Sequence, residues 1–422
     1  MTPSPNDSVA LRNGTGAPVL LIWPSVAVWR IDGQLWLDRK FRDGMEQSCT
    51  SWPGRIRAIM EVQDIASLPP FGAWRWRPEE ASFDLETIEA GQTLTEAHLA
   101  DVAVLQASAD DHRQLDAPSL CERTGTACVY VIELTLRTRL GLTRYSDVPL
   151  FRKLKTAVWQ VLNELRLSRA MRRAQGMQAN GLPAYQAFGS STPLPMLYFD
   201  TRLRKDAVVT PSELEARLAV LRERGPIRLA FSGRLVPEKG GDALVPLALR
   251  LRQLAVPFTL DVYGTGRLND RIRKEVDAHR LSDCVRLHGA VDFDRTLMPV
   301  LKESVDLFVC CHRQGDPSCT YAETLGCGVP IVGFANEAFA SMASMHDIGW
   351  SVPMGDVAGL ARLVARLAAD REDIRAKSIA AMHFAQKNHF ESVVDLRMKH
   401  CALAIAHVAG AASPLNKQHL AT

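Results

Sequence analysis

Short apolar runs alternate along the chain with longer stretches in which apolar residues return every three or four positions. The runs at 19–22, 56–62, 102–106 and 128–133 have the length of buried strands, and the stretches between them have helical character. Such alternation predicts a parallel sheet flanked by helices. The first run closes on Trp23-Pro24, and Asp32-Gly33 marks a turn followed by a helix that carries Arg39, Lys40 and Arg42. Those three cations either face a cleft or form a solvated helix face. A further strand ends at Asn180-Gly181, a helix follows Pro183, and a last strand of this half runs towards Tyr198. Backbone amides at Asn180-Gly181 form either a polar edge on the acceptor side of a cleft or a plain strand-to-helix turn.

A second alternating unit begins at Ile227. IRLAFSGRLVPEKGG gives a strand, a glycine turn and a basic loop; FTLDVYGTG repeats strand and glycine turn; VRLHGAV, DLFVCC and PIVGF supply three more strands. Helical spacing fills 242–254, 268–280, 294–304 and 357–367, and a last long helix is expected over 378–409. The predicted fold class is α/β with open doubly wound sheets.

At 422 residues the chain is long enough for two cores. The expected division is a disordered lead-in at 1–18, a first domain at 19–205, a linker at 206–226, a second domain at 227–385, and a terminal helix over 386–422 that crosses back to the first domain. No apolar run approaches the roughly 20 residues of a membrane span, and the N-terminus lacks the basic and apolar regions of a secretory signal. A formal charge of +3 gives no argument for a nucleic-acid partner. Nine scattered cysteines without C-x-x-C suit a reducing cytoplasm. Cys310, Cys311, Cys319 and Cys327 match no zinc spacing and favour packing over metal.

One segment departs from this balance. Over 150–174, Leu154, Val158, Val161, Leu162 and Leu165 keep helical spacing, Lys155, Arg166 and Arg173 line one flank, and Glu164 is the single acid. This basic amphipathic helix either rests on anionic lipid, which makes the protein peripheral on the inner membrane face, or is an ordinary domain helix with a wet basic side.

Candidate chemistry concentrates just after the strands of the second unit, where open α/β sheets bind ligands. In 309–336 a polar loop leads from one strand to a short helix expected to open at Asp316-Pro317, with leading amides near Ser318, Cys319 and Thr320 that suit an anion. Glu323 lies about two turns inside, in reach of ribose hydroxyls. Gly233-Arg234 and Lys239 share one loop, a planar fork of donors and a mobile point charge suited to a diphosphate. Gly264 and Gly266 permit close backbone approach, but Asn269 stands where a dinucleotide fingerprint requires a third glycine.

FSGRLVPEKGGDAL, YGTG, VRLHGAV and AETLGCGVPIVG together resemble the carboxy-terminal domain of a GT-B glycosyltransferase of family 4, over about 227–370. The resemblance implies two Rossmann-like domains facing a central cleft and sugar transfer from a nucleoside diphosphate with retention, without metal or further cofactor. It makes Arg234 and Lys239 the diphosphate clamps and Glu323 the ribose acceptor, sets Gly233, Gly264 and Gly266 beside the nucleotide, and sets a loop at Leu287-His288 near the base. Family members usually carry a second Glu eight residues before the ribose Glu; here that position is Gly315, followed by Asp316. A His common at the end of a central strand of the first domain corresponds to Glu133, a catalytic candidate or a structural carboxylate. The expected acceptor is a saccharide or lipid-linked saccharide of cell-surface polysaccharide synthesis. The rival readings are a non-catalytic nucleotide-sugar binder and a GT-B phosphorylase or epimerase.

Overall fold

The structure, a computed structural model, describes residues 16–64, 72–145, 148–223 and 225–410. Most of the lead-in expected at 1–18 lies outside the described residues, as does the end of the expected terminal segment. The first sheet holds β1 (Val19–Trp23), β2 (Val28–Ile31), β3 (Gln34–Asp38), β4 (Ile56–Asp64), β5 (Ala73–Arg75), β6 (Asp84–Ile88), β7 (Val102–Ser108), β8 (Ala127–Ile132), β9 (Gly176–Asn180) and β10 (Leu194–Tyr198). Their order is β10-β9-β8-β7-β1-β4-β2-β3-β5, with β6 on β4. Pairing is parallel except between β2 and β3 and between β3 and β5.

Asp32 and Gly33, both at positive φ (49° and 71°), turn the β2–β3 hairpin. The helix expected directly after this turn is therefore preceded by a strand, because Trp36 and Leu37 continue an extended pairing register. Helix α1 (Arg39–Ser51) starts only where the Asp38 carboxylate accepts the N–H groups of Lys40 and Phe41. The remaining helices of this half are α2 (Ala117–Thr124), α3 (Leu136–Tyr145), α4 (Leu150–Arg173) and α5 (Leu182–Phe188).

The expected linker at 206–226 is largely a helix instead. In α6 (Pro211–Arg222), a reciprocal cap between Thr210 and Glu213 fixes the start, and Leu214, Leu218 and Leu221 recur at helical spacing and enter the second core. That core surrounds β11 (Ile227–Ser232), β12 (Phe258–Tyr263), β13 (Val285–Gly289), β14 (Leu307–Cys310), β15 (Ile331–Phe334) and β16 (Gly349–Val352), an all-parallel sheet of order β13-β12-β11-β14-β15-β16. The order reverses between β11 and β14, so a crevice opens beyond their carboxyl ends. Around it lie α7 (Leu244–Gln253), α8 (Asn269–Ala278), α9 (Met298–Ser304), α10 (Cys319–Gly326), α11 (Glu337–His346) and α12 (Val357–Ala369).

The single helix expected over 378–409 is two, α13 (Glu372–Lys387) and α14 (Phe390–Val408). The break falls at Asn388-His389, where the His389 ring accepts the Ser392 N–H and restarts the helix. In α14, Phe390, Val394, Met398 and Cys401 join Leu20, Ile22, Val104 and Val129 in one buried cluster, so α14 packs on the first sheet.

Candidate functional site

Glycines set the second sheet's edge. Gly264 has φ +122°, and a Cβ there would lie 2.0 Å from the Gly233 carbonyl oxygen; one at Gly266 would lie 2.5 Å from that of Leu235. The loops after β11 and β12 therefore interlock backbone to backbone, with the Gly233 N–H donating to Tyr263 O (3.0 Å) and the Leu235 N–H to Thr265 O (2.9 Å). Arg234 projects from this lock, exposed, its side chain with no hydrogen bond or ion pair among the described residues. Lys239 ends the short turn that follows, and its ammonium lies 3.3 Å from Asp316 Oδ2 across the crevice. Arg313 spans both oxygens of Asp242 (2.6 and 3.0 Å) and holds the loop after β14 against that same turn.

The helix opens later than Asp316-Pro317. Ser318 is the N-cap residue, without a side-chain bond to the backbone, and Cys319 is the first helical residue of α10. Asp316 does not cap because Lys239 holds one of its oxygens; the other is buried with no hydrogen-bond partner among the described residues. The leading turn of α10, including Thr320, thus presents amides no side chain caps, the partially positive end of the helix. Farther along, Glu323 Oε1 accepts from Arg202 Nε at 2.8 Å, and the Arg202 guanidinium lies 3.7 Å from the Phe293 ring centroid. Leu287 and His288 lie on β13 rather than in a loop. His288 stacks on Tyr263 (4.6 Å between centroids) and its Nε2 lies 2.6 Å from Asp261 Oδ1, while Leu287 packs on the second core. The structure thus gathers Lys239, Asp316 and the tip of α10, with Arg234 on the adjoining loop, and leaves Leu287 and His288 two strands away from β11.

The first sheet brings its own carboxyl edge to the same place. Asn180 donates to Glu133 Oε1 (3.0 Å) and accepts the Asp200 N–H (3.0 Å) through its own side chain. Asp110 receives the N–H groups of Glu133 and Leu134 at 2.8 and 3.1 Å. Burial, reinforced by Asp200 and Asp110, pushes the Glu133 carboxyl up to about 7, and burial lifts Asp110 up to about 6. Burial also works against charge on Asp200, but Lys40 prevails and holds its carboxyl below the usual range. The Lys40 ammonium lies 2.5 Å from Asp200 Oδ2 and 2.9 Å from Cys319 Sγ, at the first residue of α10. Burial opposes its charge, and Asp200 with Cys319 raises its pKa well above the ordinary lysine value.

Three further contacts join the edges. A Cβ on Gly181 would meet Pro317 at 3.2 Å, and the hydroxyls of Thr135 and Thr138 both donate to Glu337 Oε2 (2.8 and 2.9 Å).

Sequence reasoning grouped Lys40 with Arg39 and Arg42 without separating them. Arg42 pairs with Asp43 and lies over Trp74; Lys40 enters the cleft. Asp110, Asp200, Arg202 and His312 are not among the candidates the sequence singles out for the site, although each follows within four residues of a strand end. His312 is buried two residues past β14 with neither ring nitrogen partnered among the described residues, and burial depresses its pKa well below the ordinary value. Cys310, Cys311 and Cys327 are buried in the cores, and Cys319 faces the cleft.

Residues 205–382 match the family model described as glycosyl transferases group 1. The 2-deoxystreptamine N-acetyl-D-glucosaminyltransferase of Streptomyces fradiae is 26% identical over 184 residues, 43% of this chain and 43% of that protein. The amylovoran biosynthesis glycosyltransferase AmsK of Erwinia amylovora is 25% identical over 168 residues, 37% of this chain and 39% of that protein. The chain thus spans less than half the length of these curated relatives. Anabaena HepE, solved in complex with UDP, superposes with a TM-score of 0.60 at 14% identity, covering 91% of this chain and 99% of that one. At that identity the likeness establishes the fold, which is GT-B.

Proposed function

We propose that the protein moves a sugar from a nucleoside diphosphate to a saccharide acceptor, with retention of anomeric configuration, a reading supported by the match of residues 205–382 to the group 1 glycosyl transferase model and by the GT-B fold. One observation carries this reading: Lys239, 3.3 Å from Asp316, stands beside the uncapped leading turn of α10 at the point where the strand order reverses. Two cations and a helix tip suit a pyrophosphate that gains negative charge as the sugar leaves. Arg234 and Lys239 hold that leaving group in the place of a metal ion, and each charge-assisted contact contributes ~1.5–3 kcal/mol. Glu323 takes the ribose hydroxyls once Arg202 has moved aside.

The departing diphosphate accepts the acceptor's proton as the acceptor attacks the face it vacates, so the protein supplies little acid–base chemistry. Glu133, held by Asn180 on the facing edge, orients the acceptor hydroxyl. The Erwinia relative, by its name a glycosyltransferase of amylovoran biosynthesis, supports a saccharide acceptor, either free or lipid-linked, as in cell-surface polysaccharide assembly. The test is turnover of nucleoside diphosphate sugars by Arg234→Ala and Lys239→Ala. Each change is expected to lower it by about 10- to 100-fold; wild-type turnover in both contradicts the assignment.

A further inference from the structure

Half of the exposed large apolar side chains among the described residues stand on a single helix, α4. Leu150 (83% exposed), Phe151, Leu154, Val158, Val161, Leu162 and Leu165 (68%) all fall within a stripe about 120° wide at 100° per residue. The buried residues Asn163, Leu167, Ala170 and Met171 lie on the opposite side. A surface helix of a globular protein turns its apolar stripe inward; here the longer stripe faces out. Leu167, Ala170 and Met171 root the helix in the first core, and the ion pair of buried Arg139 with Glu164 fixes α4 against α3. The exposed stripe is therefore carried on a braced helical hairpin.

Charge decides what covers it. Lys155 and Arg166 border the stripe, Arg169 and Arg172 extend it, and all four are exposed. The one acid of the helix, Glu164, is taken by Arg139. A second copy packed across this face brings two basic flanks together, whereas an anionic bilayer receives the apolar side chains and the cations at once. Trp159, edge-on to His112 at 5.0 Å, stands on the rim with an amphipathic ring suited to the headgroup level. No helix among the described residues is long and apolar enough to cross a membrane, so the contact is one of lying on the surface.

We infer that the α3–α4 hairpin docks the protein on an anionic membrane surface through Leu150, Phe151, Leu154, Val158, Val161, Leu162 and Leu165. Its root reaches the cleft, since Thr138 of α3 and Thr135 just before it bind Glu337. Docking thus sets the acceptor side of the cleft beside the headgroups, which selects an acceptor carried on lipid. That last step rests on the transferase reading; the docking does not.

The experiment is flotation of the full chain with phosphatidylcholine vesicles, with and without phosphatidylglycerol, for wild type, Leu154→Glu/Leu162→Glu and Lys155→Glu/Arg166→Glu. Size and the thermal shift given by uridine diphosphate are recorded for each. Wild type is expected to float only with the anionic vesicles and less at high salt, and each double variant to lose at least about tenfold in bound fraction at unchanged thermal shift. Wild type left at the bottom of both gradients overturns the proposal. So does a wild-type dimer that Leu154→Glu/Leu162→Glu splits without changing flotation. Flotation as expected with no thermal shift in wild type leaves the docking standing and removes the transferase reading.

Discussion

Lys40 and Cys319 are 279 positions apart in sequence, and the ammonium of one lies 2.9 Å from the sulfur of the other. The contact joins the first turn of α1, on the first sheet, to the first residue of α10, on the second. An anion bound at the tip of α10 therefore lies within reach of a cation from each half of the molecule, Lys40 and Lys239.

Lys40 also compensates Asp200, so Lys40→Met leaves that carboxylate beside Glu133 without its hydrogen-bonded cation, Arg397 still acting on its charge. The expected loss is ~1–3 kcal/mol in urea unfolding near neutral pH, reduced because the pair is about one-fifth to one-quarter exposed. Adding Asp200→Asn restores most of it. Strictly additive losses in the double variant contradict the pairing.

Glu133 gives a pH signature. Its carboxyl sits at about 7 in the folded protein and near ~4.3 in an unfolded chain. Between those values the folded state binds more protons, so the group's contribution is full below ~4.3 and is lost as pH rises through about 7. Asp110, at about 6, adds to the same fall. Asp200, held low, acts in the opposite sense: its contribution is present above the unfolded value and lost on acidification below it. Glu133→Gln is expected to flatten the decline between pH 5 and 8 by on the order of 2–3 kcal/mol; an unchanged slope in denaturation curves contradicts the shift.

Gly264→Ala sets a methyl 2.0 Å from the Gly233 carbonyl oxygen at a φ of +122°. The interlocked loops must part, and the expected result is a loss of several degrees in melting temperature together with weakened nucleotide binding. Gly289→Ala, where φ is +73° but nothing lies within 4 Å of the added methyl, is the control: it bears the backbone strain alone. Equal losses at the two positions contradict the interlock.

Arg202 occupies the carboxylate assigned to the ribose. Glu323→Gln is expected to weaken uridine diphosphate binding about tenfold, and Arg202→Ala to strengthen it by about 3- to 10-fold, because the ion pair no longer competes. Calorimetric titration of both variants checks the opposed signs, and losses in both contradict the competition.

Much of this was legible in the chain. Five of the second sheet's six strands follow apolar runs, β16 being the one without such a run; Arg234 announces itself just past a strand end, Lys239 and Asp316 in the loops that follow β11 and β14, and Glu323 in the helix after β14. The short strands β2, β3 and β5 are not legible, because the β2–β3 hairpin and the three-residue β5 that pairs on β3 mix tryptophans with charged residues and show little periodicity. The helix starts later than the Asp316-Pro317 signal because that local cap loses to a tertiary ion pair with Lys239, 77 residues away. The role of α4 was half legible: its pattern revealed the stripe, but only packing shows that the stripe faces outward.

The central claim is that Arg234, Lys239 and the tip of α10 hold one pyrophosphate. Calorimetric titration of uridine diphosphate into the wild type and Arg234→Ala/Lys239→Ala tests it most directly. The account predicts saturable binding in the wild type, weakened at least about 30-fold in the double variant at a temperature where both proteins are folded; equal affinity in the two proteins contradicts it.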